Sequence, residues 1–227
     1  MKVAPAALLS ALCAAAALAP AGGATNECHG IQACIRVVGP WVVVPARGNA
    51  VFLLTCPQGR SVVAGLDAQV TSRDVRIAFD ARLGAPVQPG VTTTRYALFR
   101  AVSVSPRVQA FQPLLGCVPA QGGGGRSTVS AFVSPPGQSL EYRSRIKVLT
   151  PGSVGFVKAS CQGRERLVGS WHALAFRTKQ PPPLSNASRV DASAIVVGKK
   201  VVLSVTASDG LSIDAHAVVQ VGAECAP

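Results

Sequence analysis

At 227 residues and a net charge of +12, with aromatic residues at only 5%, the chain has length for two small domains and too few aromatic side chains for a base-stacking nucleic-acid binder. Past the N-terminal segment no stretch approaches the ~20 apolar residues of a membrane helix, which argues against a polytopic membrane protein. The basic excess is not a tail: residues 34–120 carry nine Arg against three Asp, and residues 139–227 carry eleven Arg and Lys against six acids.

In chain order, Lys2, the apolar run Val3 to Leu18 and the small residues Ala19, Ala21 and Ala24 read as a signal peptide over 1–24, with cleavage after Ala21 or Ala24. Cys13 lies inside the apolar run and follows Leu12, where a lipoprotein signal needs a small residue. Processing leaves six cysteines, Cys28, Cys34, Cys56, Cys117, Cys161 and Cys225. An even count in an exported chain reads as three disulfides. Cys28 and Cys34 close a small N-terminal loop. A metal site on Cys28, His29 and Cys34 has no second ligand cluster to complete it, and no cofactor is expected.

The rest of the chain repeats itself. Cys56-Pro57-Gln58-Gly59-Arg60 with Val62, Val63 and Gly65 is echoed by Cys161-Gln162-Gly163-Arg164 with Leu167, Val168 and Gly169. Each echo ends on a cysteine and a proline, Cys117-Val118-Pro119 and Cys225-Ala226-Pro227. The repeat pairs Cys56 with Cys117 and Cys161 with Cys225, 61 and 64 positions apart. It sets a first unit at 25–120, including the Cys28–Cys34 loop, a Gly-rich linker at 121–128 and a second unit at 129–227.

Strand patterns dominate both units: Val75, Ile77 and Phe79 alternate with polar or small residues, and Ile146 and Val148 flank Lys147. Val201 to Ala207, Ser208-Asp209-Gly210 and Leu211 to Cys225 read as a hairpin. With Cys225 inward, the pleat turns Ala215, Ala217, Val219, Val221 and Ala223 inward, and Asp214, His216, Val218 and Gln220 outward. The expected fold class is all-β, two tandem disulfide-tied, Ig-like β-sandwich domains.

The motif Cys-Pro-Gln-Gly-Arg, a short apolar strand, Gly65 and a cysteine about 60 residues later resembles a loose set of secreted repeats in actinobacterial-type, high-GC bacteria. In that set Cys-Pro-x-Gly precedes an apolar strand and a Gly-Gly. Here only Gly65 and Gly169 represent the glycine pair, and Gln162 replaces the proline in the second copy. The resemblance implies an exported, disulfide-tied β-domain and no particular activity.

The functional residues suggested are basic. Arg143, Arg145 and Lys147, Arg164 and Arg166, and Lys199 and Lys200 form local concentrations suited to an anion. Trp41 and Trp171 are candidates for surface contact with a sugar ring or partner. No Gly-x-Ser-x-Gly nucleophile elbow is present. His172 and the Asp214/His216 pair are the residues an alternative small exported enzyme, or an enzyme inhibitor, would use. The reading that follows is a secreted, non-catalytic binding or structural module whose partner is an anionic cell-wall polymer or another surface protein.

Overall fold

Runs of Val, Ile, Phe and Thr broken by Gly, Pro and Asp favour extended backbone over helix. A computed structural model describes residues 34–57, 61–80, 95–119 and 140–227, and these are all-β apart from two 3-10 turns. Residues 1–24, expected to be a signal peptide, Cys28 and the expected linker at 121–128 lie outside the described residues. The first half supplies β1 (Ile35–Val38), β2 (Trp41–Val44), β3 (Asn49–Thr55), β4 (Ser61–Val70), β5 (Val75–Asp80), β6 (Tyr96–Ser103) and β7 (Gln109–Pro119). The second supplies β8 (Glu141–Val148), β9 (Val154–Ser160), β10 (Arg166–Phe176), η1 (Leu184–Arg189), β11 (Val190–Val197), β12 (Lys200–Ala207), η2 (Ile213–Ala215) and β13 (Ala217–Ala226).

Strand order is the same in the two halves. In the first, β4-β7-β2 faces β3-β6-β5; in the second, β10-β13-β8 faces β9-β12-β11. The bridges Cys56–Cys117 and Cys161–Cys225 form as the cysteine spacing predicts, with Cα atoms 5.9 and 5.5 Å apart. With β1–β2 and β8 lettered A, β3 and β9 B, β4 and β10 C, β5 and β11 D, β6 and β12 E, and β7 and β13 F, each half holds B-E-D in one sheet, C and F in the other, and a disulfide from the end of B to F, as immunoglobulin-type sandwiches do. The difference is that strand A runs beside F. The shared Gly also has a structural place: a bulge falls between Val63 and Gly65 opposite Cys117, and another between Leu167 and Gly169 opposite Cys225. Each bulge twists the strand beside its disulfide.

The two halves are joined in one seven-stranded sheet, because β2 pairs with β10 through Val42–Ala175 and Trp41–Phe176. The three-stranded β3-β6-β5 sheet packs on both faces. Its Phe52, Leu54 and Phe99 fill the first core with Val63, Phe111 and Leu115. Its Leu53 and Leu98 face the other way, onto Tyr142 and Trp171 of the second half. The second core, between β8-β10-β13 and β9-β12-β11, is built from Phe176, Leu203, Val205, Val219 and Val221.

This layering corrects two expectations. Ala217, Val219, Val221 and Ala223 do face the second core, but Val218 and Gln220 are also fully buried, because the first half's sheet covers the back of β13. The 201–225 segment is no hairpin. β12 pairs with β11 and β9, β13 with β10 and β8, and η2 carries the chain between sheets. The Asp-Gly signal correctly places a turn there, but the turn changes sheets instead of folding one strand onto the next.

Candidate anion-binding edge

β8 ends the seven-stranded sheet, and β9 ends the sheet packed beneath it. Arg143, Arg145 and Lys147 alternate along β8 opposite Ala223, Val221 and Val219, so the pleat turns all three toward the rim of the second core. Long basic side chains suit this position, since their methylenes cover the rim while the charges reach water. Lys147 illustrates the fit. Its ammonium sits over Gly155 of β9, where any Cβ would overlap it.

Arg143 is clamped: its Nε and Nη2 both donate to Glu165, whose Oε2 also accepts the Gln162 backbone N–H at 2.8 Å. The Arg143 hydrogen bond, then the Gln162 N–H, hold the Glu165 carboxyl below the ordinary carboxylate range, with Lys199 adding attraction. Lys199 also donates to the Gly163 carbonyl at 2.9 Å. Arg143 and Lys199, separate in sequence, therefore meet around the Cys161–Arg166 loop.

A small recess of about 280 Å³ opens between the strands, lined by Arg143, Ser144, Arg145, Lys158, Ser160 and Gln162. Among the described residues its polar lining carries cations, hydroxyls and an amide, with no carboxylate. That set suits an oxyanion, for which Arg offers a planar fork and Lys a point charge. Lys158 was not among the sequence candidates. It is a lone lysine in an apolar strand, and only the fold brings it beside Arg145. Arg164 and Arg166 are exposed where the loop enters β10, and Lys200 is exposed on β12 opposite Ser160. The seven sequence candidates thus lie on the second half, around β8, the Cys161 loop and the start of β12.

The other candidates sit elsewhere. Trp41 and Trp171 are 4% and 7% exposed, so neither offers the surface contact expected of it. Trp41 lies in the β2–β10 seam, and Trp171 packs edge-on to Tyr142 between the halves. His172 is exposed beside a cleft of about 870 Å³ that also takes in Ser170, Ser188 and Asp191. Desolvation lowers its pKa, and no hydrogen bond contributes to that shift. The Ser188 hydroxyl is turned to the Ser185 carbonyl. Asp214 lies in η2, while His216 takes a left-handed conformation (φ 44°) just after it, so the two are not aligned along one strand face. Cys161, Glu165 and Cys225 approach like a metal-ligand trio, but the two sulfurs are bonded to each other. Cys34 is disulfide-bonded as well.

No protein-family model, curated protein or solved structure matches the chain. The two described disulfides fit an oxidising compartment. Among the described residues no helix is long and apolar enough to cross a membrane.

Proposed function

We propose that this is a secreted, non-catalytic binding or structural module of tandem repeats that attaches to anionic cell-wall polymers through the basic edge of its second half. The observation carrying the reading is the recess between β8 and β9, where Arg143, Arg145 and Lys158 converge with hydroxyl and amide donors and no lining carboxylate. Arg143 is oriented by Glu165, leaving Arg145 and Lys158 as the cations that meet phosphate or carboxylate groups of the polymer. The N-terminal signal reading and the resemblance to secreted repeats support export.

The test is co-sedimentation of the oxidised, processed protein with cell-wall sacculi, intact or stripped of anionic polymer, across a salt series. Retention should fall steeply as salt rises, because exposed charges are screened beyond about 8 Å at physiological ionic strength. The double substitution Arg145→Gln/Lys158→Gln should weaken it several-fold with the fold intact. Retention on stripped walls, or retention insensitive to salt, overturns the mechanism.

A further inference from the structure

The basic edge adjoins a second kind of surface that shares Lys158 and Ser160 with the polymer recess. On the outer face of the β9-β12-β11 sheet, register brings Phe156, Ser204 and Ser193 into one row, Lys158, Val202 and Ile195 into the next, and Ser160, Lys200 and Val197 into a third. Phe156 is 64% exposed, Ile195 59%, and Val196 and Val197 57% each. The β11–β12 hairpin turns through Gly198 and Lys199, and its tip is apolar on both faces and flanked by lysines.

The first half shows what this face is not. Counted from Cys56 and Cys161, Leu53 corresponds to Lys158, and the paired strands then match Tyr96 to Lys200. In the first half that face is covered by the second half, with Leu53 packed on Trp171 and Tyr142. Another protein sheet docking in the same way on the second half would bury two ammonium groups. A second copy of the chain would set the same lysines against one another.

We propose that the outer face of this sheet, with the β11–β12 tip, docks onto an anionic lipid surface. Lipid phosphates accept Lys158, Lys199 and Lys200, while Phe156, Ile195, Val196 and Val197 enter the boundary between headgroups and acyl chains. Asp191 lies at the other end of β11, away from the tip. The inference goes beyond wall attachment and does not depend on it.

The experiment is flotation of the oxidised protein with phosphatidylglycerol vesicles and with phosphatidylcholine vesicles. Binding should require phosphatidylglycerol. Lys199→Gln and Lys200→Gln should each weaken it about fivefold, and Phe156→Ser or Val197→Ser by about tenfold, with circular dichroism unchanged and sacculus retention intact for the two apolar variants. Failure to float with phosphatidylglycerol overturns the proposal, as does flotation that Phe156→Ser and Val197→Ser leave unchanged, since charge alone would then suffice. A concentration-dependent dimer lost in Phe156→Ser, without vesicle binding, would assign the face to a second copy instead.

Discussion

At the scale of single residues, β3 is an edge strand among the described residues, and on its open side the Gln220 side chain takes up the backbone groups of Leu53. Its Oε1 accepts the Leu53 N–H at 2.7 Å, its Nε2 donates to the Leu53 carbonyl at 2.9 Å, and Trp171 Nε1 donates to the same Oε1 at 3.3 Å. Gln220→Leu keeps the bulk and orphans three buried polar groups, so it should cost about 3 kcal/mol or more, read as a lower urea midpoint. Trp171 lies flat against Gly222, where a Cβ would fall 2.0 Å from the indole ring. Gly222→Ala should therefore displace the ring at a cost of about 1–3 kcal/mol, visible in tryptophan fluorescence. Tyr142 donates to Asp80, and Arg100 bridges to Glu224 at 2.8 Å across the same seam. Burial first, and the Asp80 hydrogen bond second, raise the Tyr142 pKa above the ordinary 10.0. A raised folded-state value means that this contribution to stability is complete below pH 10 and is lost as pH climbs through the folded pKa. Wild-type protein should lose stability in that alkaline window, and Tyr142→Phe should flatten the loss in a melting-temperature series.

At the scale of elements, each long disulfide ties strand B to strand F across a sandwich. Removing the first, Cys56→Ser with Cys117→Ser, should cost about 4 kcal/mol on chain-entropy grounds, measurable by denaturant titration. These bridges were legible because the cysteine-glycine repeat marks local features, a cross-sheet bridge and the bulge beside it. A further repeated signal was present: Gln112 stands five residues before Cys117, as Gln220 does before Cys225, and both glutamines are buried. The hairpin expectation fails because an Asp-Gly turn is local, while the partner of a strand is decided by distant packing. Even so, β13 carried a clue. Ala217-Val218-Val219 and Val221 form a nearly continuous apolar run rather than an alternating one, the pattern of a strand buried on both faces. The anion-binding edge was half legible. β8 shows three cations at period two, which the pleat turns one way, but Lys158 joins them only through the fold. The tryptophans carried no such mark, since burial of an indole depends on what packs over it.

At the scale of the whole molecule, the seam decides how the protein behaves. Ala173, Ala175 and Val218 of the second half belong to the first half's core, and Leu53 and Leu98 of the first half pack on Tyr142 and Trp171 of the second. Calorimetry should give one cooperative transition for both halves, not the two expected of beads on a linker. Residues 139–227 expressed alone would expose Trp171, Val218 and Gln220 and should aggregate.

The position of β13 has a consequence in time as well. It follows every other described strand in sequence and lies between layers contributed by both halves. A polypeptide appearing N-terminus first has β1 to β7 in hand early, yet the cover for Leu98 arrives with Tyr142 of β8 and Trp171 of β10, and the partner amide for Leu53 only with Gln220 of β13. The early half must therefore wait, unfinished, for the late one. A ribosome delivering this chain hands over a protein whose two halves lock together only once β13 has emerged.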